Sequence, residues 1–319
     1  MSTDSEKKLD VSVIIPLFNE EGNIESLYEN LKPVLDGLKK DYEIIFIDDG
    51  STDSSMDILD KISIDDSQVR VIRFKRNFGQ TAALSAGFDY ARGEVIIAMD
   101  GDLQNDPKDI PQLLKKIETG YDIVSGWRKK RKDPLFTRRV PSMAANWFIS
   151  KLTGVKLKDY GCTLKAYRKE IVKHIHLYGE MHRFIPALAS WAGAKVAEIE
   201  VNHHPRRKGS SKYGISRTFK VILDLITVKF LLTFSTRPIH VFGFLGIIGV
   251  LGGLCSAVAL IWMKIFYGTD MTGNPFLYLA VLLEMLGVQF IVLGLLGELI
   301  IRGYYETQKK TTYVIKETK

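Results

Sequence analysis

The chain has 319 residues, 46% of them hydrophobic and 25% charged, a length that accommodates roughly two domains. This apolar content can build a packed core and excludes wholesale disorder, while the two cysteines, Cys162 and Cys255, exclude a disulfide framework and a Cys-based zinc site. Lysine and arginine number 44 against 37 acidic residues, a formal net charge of +7, which favours anionic partners without naming one. Mean hydropathy is near zero, but this averages two unlike parts: residues 1–215 are charged and residues 238–301 are nearly charge-free.

The first ten residues are polar and the apolar run that follows stops at Pro16, so no signal peptide is expected. Short β-branched runs then recur: VSVIIP from Val11, YEIIFID from Tyr42, VRVIRF from Val69, EVIIAMD from Glu94 and YDIVSG from Tyr121. Between them lie stretches with helical spacing, such as Ile24, Leu27, Leu31, Val34, Leu35 and Leu38. Strands with little internal alternation, separated by helices, predict an α/β unit with a mostly parallel sheet covered on both faces. In such folds ligands sit beyond the carboxyl ends of the strands, here Pro16–Glu20, Asp48–Asp53, Arg73–Gly79 and Asp100–Gln104. The first strand is followed by PLFNEEG rather than G-x-G-x-x-G, and no G-x-x-x-x-G-K-[ST] occurs; a dinucleotide oxidoreductase and a P-loop NTPase are disfavoured.

The fourth strand ends Asp100-Gly101-Asp102-Leu103-Gln104 and the second ends Asp48-Asp49-Gly50-Ser51. Either acidic turn alone has an ordinary explanation as a cap or a tight turn. Together, at one edge of a parallel sheet, their charges converge and repel, and hard oxygen donors at this spacing suit Mg²⁺ or Mn²⁺ with positions open for phosphate oxygens. Further along, Lys129-Lys130-Arg131-Lys132 and Arg138-Arg139 form a basic run with Trp127 and Phe136 as its only nearby aromatics. Anionic lipid headgroups or a lipid phosphate suit it better than nucleic acid. His182 and the pair His203-His204 show no metal-ligand spacing and read as structural or substrate-adjacent.

Ile215, Phe219, Ile222, Ile226 and Phe230 recur at helical spacing among charged residues, the pattern of an amphipathic helix lying in the headgroup layer over about residues 216–237. Phe242 to Met263 carries no charged side chain, and Phe276 to Ile300 is apolar apart from Glu284, Gln289 and Glu298. About 20 such residues cross the hydrocarbon core, so two transmembrane helices, about residues 239–263 and 276–301, form an antiparallel hairpin. Lys220, Lys229 and Arg237 precede the pair and Arg302, Lys309 and Lys310 follow it, while the connecting loop offers only Lys264; the positive-inside rule puts both termini in the cytoplasm. Gly243, Gly246, Gly249 and Gly252 repeat every third residue, and Gly253 makes a G-x-x-x-G pair with Gly249. Such small residues allow close packing within the hairpin or between protomers, and a homo-oligomer is expected.

The strings VIIPLFNEEGNI, IIFIDDGSTD, RNFGQTAAL, MDGDLQNDP, DYGCTLKAYR, GEMHRFIP and RRKGSSKYG cover most of residues 11–215. On them the chain resembles the family 2 glycosyltransferases of the GT-A fold. More narrowly, it resembles the polyprenyl-phosphate glycosyltransferases, which include dolichol-phosphate mannose synthases and bactoprenol glucosyltransferases; the hairpin is closest to the latter. The resemblance implies a cytoplasmic GT-A domain over residues 1–215 and a C-terminal tail over 303–319, on the inner membrane. By it, Pro16, Phe18, Glu20 and Asp49 hold the nucleoside of a sugar nucleotide, Asp48 supports the turn, and Asp100 with Gly101 belongs to the donor site. Asp100 and Asp102 are the D-x-D pair, Asp102 and Gln104 binding the metal that bridges the diphosphate. Arg128, Arg206 and Lys212 match phosphate-binding cations, and Asp159 is the carboxylate for a base or for orienting the acceptor. Phe18 departs from the tyrosine often found there.

The implied reaction is a metal-dependent, inverting transfer of one sugar, glucose from UDP-glucose, to undecaprenyl phosphate. GDP-mannose or an aminosugar donor, a processive polysaccharide synthase and a lipid-sugar flippase are the alternatives. The absence of Q-x-x-R-W and the small number of spans disfavour the synthase, and a flippase leaves the D-x-D domain unexplained.

Overall fold

The computed structural model describes residues 9–129, 149–151, 153–173, 175, 181–191, 193–205 and 238–308. The expected headgroup-layer helix, the basic residues 130–132, 138 and 139, and Arg206 and Lys212 lie outside them. The chain divides into two compact units, 1–228 and 229–319.

In the first unit the β-branched runs form strands β1 (Leu9–Leu17), β2 (Tyr42–Asp48), β3 (Val69–Arg73), β4 (Gly93–Ala98) and β5 (Ile123–Trp127). Helices α1 (Ile24–Asp36), α2 (Ser55–Asp65), α3 (Gln80–Tyr90) and α4 (Ile110–Glu118) alternate with them. Two strands were not marked by the hydrophobic pattern: β6 (Lys165–Arg168) and β7 (Val196–Glu200), with the short helices α5 (Lys169–Val172) and α6 (Ile185–Trp191) between them. The sheet order is β3-β2-β1-β4-β6-β5-β7. β1 runs parallel to β2 and β4, and β2 to β3; β6 runs antiparallel to both β4 and β5. The sheet is thus mostly parallel, with one reversed strand inserted between β4 and β5.

All seven residues of β2 are buried, as a central strand covered on both faces requires. Strand alternation sorts the core into two layers. Val13, Ile15, Ile44, Phe46 and Ile97 meet α1, α2 and α4, and Ile14, Ile45, Ile47 and Ile96 meet α3 and α6. β1, β2, β3 and β4 point the same way, so their carboxyl ends and the turns that follow share one edge of the sheet.

The second unit is a pair of helices, α7 (Ile239–Tyr267) and α8 (Pro275–Gln308). Both are long and apolar enough to cross a membrane. The expected spans 239–263 and 276–301 are longer in the structure, and the loop shrinks to residues 268–274. A 29-residue helix is about 43 Å long, more than the hydrocarbon core needs, because backbone hydrogen bonding does not stop where the apolar side chains do. α7 ends when Gly268 turns left-handed at φ 64° and its N–H caps Lys264. The glycine stripe serves the hairpin itself. A Cβ on Gly287 would stand 2.7 Å from the Gly246 carbonyl oxygen, and one on Gly253 would stand 2.6 Å from Glu284 Cγ. Glu284 therefore lies along the α7–α8 contact. Replacing Gly287 by valine is expected to force the helices apart and lower the thermal midpoint of the detergent-solubilised protein by several degrees, read by differential scanning fluorimetry; an unchanged midpoint contradicts this packing.

Candidate active site

The turn after β1 is stitched to the turn after β2. Asn19 adopts φ 55°, unusual for a non-glycine residue, and is fixed there by two bonds: its N–H donates to Ser51 Oγ (2.9 Å) and its Oδ1 accepts from Thr52 N–H (2.8 Å). Glu20 N–H donates to Ser55 Oγ, and Glu20 Oε2 accepts from Asn23 Nδ2. Pro16 is buried in the sheet opposite Ile47, while Phe18 and Glu20 are half-buried. Asp48 is fully buried and accepts from Ser51 N–H at 3.1 Å, closing its own turn. Gly50 (φ 72°) has to be glycine, since a Cβ would lie 2.5 Å from the Arg76 carbonyl carbon.

Asp49 reaches across to the loop before α3. Its two oxygens accept from Phe78 N–H (2.7 Å) and Gly79 N–H (2.9 Å). Burial raises its proton affinity and these amides oppose the rise. Beside it, an open cavity of about 340 Å³ is lined by Gly50, Ser51, Thr52, Arg73, Phe74 and Lys75.

The D-x-D turn follows β4. Asp100 Oδ1 accepts from Gln80 Nε2 (2.8 Å), its Oδ2 accepts from Thr163 Oγ1 (2.7 Å), and its N–H donates to Asn105 Oδ1 (3.1 Å). Asp102 is 7% exposed, and its Oδ1 accepts from Gln104 N–H at 3.1 Å. Leu103 between them sits at φ 61°, a conformation costing on the order of 1–3 kcal/mol that recurs at functional turns. Gly101 packs back on β1, where a Cβ would meet Leu17 at 3.4 Å. Burial, and then the neighbouring charge of Asp102, push the Asp100 carboxyl up to about 6.

Arg128, just past β5, forms a bidentate pair with Asp159: Nε donates to Oδ2 at 2.7 Å and Nη2 to Oδ1 at 2.9 Å. Their side chains are only 12% and 8% exposed. Arg128 is held more firmly charged by this carboxylate although burial works against the charge. Glu198 Oε1 accepts from the N–H groups of Lys158 and Asp159 and braces the loop. Both oxygens of Asp159 are engaged by one guanidinium, which fixes the plane of Arg128. Below this pair lies Lys165 on β6, 3% exposed, its Nζ donating to the Tyr160 carbonyl oxygen (3.2 Å); burial lowers its ammonium to about 8. His182, driven to about 3 by burial, is neutral and bonds Thr81 Oγ1 through Nδ1.

The fold therefore gathers Asp100, Asp102, Gln104, Arg128 and Asp159 into one region and Pro16, Phe18, Glu20, Asp48 and Asp49 into an adjoining one, with the start of α3 bridging the two. Gln80, Asn105, Thr163, Lys165 and Glu198 were missed as site residues. The first four fall inside the motif strings, but Gln80 and Thr163 pair with Asp100 across 20 and 63 residues, and nothing local announces those pairings. His203 and His204 join the same region, His203 bridging Asn105 and His204 Nε2 lying 3.1 Å from Asp106 Oδ2.

The half-buried Asp100, the buried Asp102 and the side-chain amide of Gln104 offer hard oxygen donors, and a divalent cation would offset both the desolvation and the neighbouring charge that raise the Asp100 pKa. Among the described residues no group of three His, Cys, Asp or Glu side chains can hold an ion, so these donors fit an ion that draws its remaining ligands from water and a bound diphosphate. Because Asp100 has a raised pKa, its ionised form is lost as pH falls through about 6, and by itself this protonation favours the folded state between about 6 and 4. Mn²⁺ affinity is accordingly expected to drop at least threefold between pH 7.5 and 5.5 by EPR titration; equal affinities at the two pH values contradict the geometry.

Residues 12–176 match the family profile "Glycosyl transferase family 2". The chain is 44% identical, over 99% of its own length and 95% of the relative's, to dodecaprenyl-phosphate galacturonate synthase of Rhizobium johnstonii. It is 38% identical, over 96% of its length and 93% of the relative's, to undecaprenyl-phosphate 4-deoxy-4-formamido-L-arabinose transferase of Salmonella choleraesuis. Among solved structures, the glucosyl-3-phosphoglycerate synthase of Mycobacterium tuberculosis, in complex with Mn²⁺, UDP and phosphoglyceric acid, superposes with a TM-score of 0.55 at 20% identity, covering 69% of this chain and 78% of that one. That likeness establishes the fold, a GT-A α/β sheet. With a D-x-D turn at the edge of such a sheet and relatives matching almost end to end, the chain belongs to glycosyl transferase family 2 and is a glycosyltransferase.

Proposed function

We propose that the enzyme transfers a single sugar from a nucleoside diphosphate sugar to a polyprenyl phosphate at the cytoplasmic face of the membrane, with inversion at the anomeric carbon. The observation that carries this reading is the span of the similarity. It extends over 99% of the chain, so it includes the apolar hairpin as well as the acidic site, and the names of both relatives specify a polyprenyl phosphate. A nucleotide-activated galacturonate is the first donor to test, because the galacturonate synthase shares 44% identity. UDP-glucose, the donor implied by the resemblance to bactoprenol glucosyltransferases, comes next, followed by an aminosugar donor and GDP-mannose. The basic flanks of the hairpin support a cytoplasmic site.

The chemistry asks little of a base. A phosphate monoester has a second pKa of about 6, so the acceptor oxygen is already ionised at neutral pH. The protein's task is to orient that oxygen, exclude water and receive charge. Phe18, Glu20 and the Asp49 loop are suited to hold the nucleoside. Arg128, held in plane by Asp159, presents a guanidinium fork matched to phosphate oxygens, and Arg206 and Lys212 are assigned to the same anionic group by their motif. Asp102 and Gln104 would hold the divalent cation, Mg²⁺ or Mn²⁺, which when bound supplies the positive charge that the departing diphosphate needs.

Incubation with a radiolabelled nucleotide sugar and undecaprenyl phosphate is expected to yield one organic-extractable product carrying a single sugar of inverted configuration. Polymer, or a retained configuration, overturns the assignment. The Arg206→Ala variant is expected to raise the acceptor KM at least tenfold while leaving nucleotide-sugar affinity within about twofold, measured by steady-state kinetics and calorimetry; equal losses reject its role.

A further inference from the structure

The chain that leaves β7 is sewn to two walls of the site before it reaches the basic motif. Val201 N–H donates to the Trp127 carbonyl oxygen at the end of β5 (3.1 Å), one residue before Arg128. Asn202 then engages both oxygens of Asp109, the residue before α4: its backbone N–H donates to Oδ2 (2.6 Å) and its Nδ2 to Oδ1 (2.9 Å). His203 pairs with Asn105 as an isolated antiparallel bridge, and His204 N–H donates to the Gln104 carbonyl oxygen (3.0 Å). Four consecutive residues thus join the end of β5, beside Arg128, to the segment that closes the D-x-D turn and leads into α4. Asp109 is the anchor of this seam. It is 2% exposed, and hydrogen bonds accepted by an ionised carboxylate are short and strong.

Pro205 and Arg206 come next in the chain. Two residues of backbone reach about 7 Å at most, so whatever fixes residues 202–204 limits where the R-x-x-G-x-S-K motif can begin. We infer that Asp109 and Asn202 are positioning residues for the acceptor: they fasten the start of this motif to the acidic edge and so deliver Arg206 to the acceptor phosphate. The inference rests on the proposed assignment of Arg206 to that phosphate. Both residues act through the segment they fix rather than by touching substrate. Releasing the seam leaves the donor's binding groups in place and frees the acceptor's cation to wander.

Two measurements on the full-length detergent-solubilised enzyme test this: the KM for undecaprenyl phosphate and the affinity for the nucleotide sugar. Asn202→Ala is expected to raise the acceptor KM at least fivefold and to leave nucleotide-sugar affinity within twofold. Asp109→Asn sets one side-chain N–H against another and should do the same. Adding Asn202→Asp to it restores a donor facing an acceptor and should return KM to within twofold of native. A residue that only supports the fold lowers kcat through loss of active enzyme and leaves KM alone. In a double-mutant cycle, adding Asn202→Ala to Arg206→Ala should change the acceptor KM by less than twofold, because the cation that the seam delivers is already gone. An unchanged KM in Asn202→Ala, an equal loss of nucleotide-sugar affinity, or full additivity with Arg206→Ala overturns the inference alone. A native enzyme that does not use undecaprenyl phosphate, or an Arg206→Ala variant with native KM, overturns the proposed acceptor site and the inference with it.

Discussion

Parallel strands that end at one edge bring their terminal side chains together, and here β2 and β4 end in carboxylates. Asp48, Asp49, Asp100 and Asp102 are forced into one neighbourhood by the register of β1 with both strands. Burying such charge is costly unless each group is paired, and the surrounding structure can be understood as the set of devices that meets this cost. Asp48 closes its own turn. Asp49 spends both oxygens on backbone amides. Asp100 is clasped by Gln80 and Thr163. Lys165 and Arg128 add positive charge from the reversed strand and the strand beyond it. Even so, burial and the charge of Asp102 leave Asp100 with a raised proton affinity, which a divalent cation at this edge would lower.

The Arg128–Asp159 pair shows how one constraint produces another. A buried bidentate pair adds little net stability, yet removing one partner costs ~3–5 kcal/mol because the other is left charged and dry. Its value lies in geometry: a guanidinium held rigidly beside the acidic edge, where in the proposed reaction an anionic acceptor would meet an anionic donor. The acceptor's own ionisation makes a strong base unnecessary, which agrees with an Asp159 whose oxygens are already occupied. The hairpin helices are long and apolar enough to cross a membrane, as the proposed lipid-borne acceptor would require.

Much of this was legible in the sequence. The parallel α/β sheet followed from β-branched runs without alternation, and the edge at which the acidic turns gather followed from where those runs stop. The two apolar helices followed from charge-free stretches, although their ends did not, since helical hydrogen bonding continues through Lys264 to Tyr267. β6 and β7 escaped notice for a physical reason. β6 is four residues long with a lysine and an arginine at its ends, and β7 alternates glutamates with apolar residues at half-buried positions, so neither presents a continuous apolar run. Lys165 was invisible for the same reason: a buried lysine is recognised only once its carbonyl partner on Tyr160 and the nearby carboxylates are seen. The glycine stripe left open whether it served the hairpin or a second protomer, and the close approach of Gly246, Gly249 and Gly253 to α8 shows that these three serve the hairpin.

The central claim is that the converging carboxylates admit a nucleoside diphosphate only when a divalent ion is present. Calorimetric titration of UDP into the native enzyme and the Asp102→Ala variant, each with Mn²⁺ and with excess EDTA, tests it most directly. The account predicts binding in one of the four conditions, the native enzyme with Mn²⁺. UDP binding of undiminished affinity by the native enzyme in EDTA, or by the variant with Mn²⁺, would contradict it.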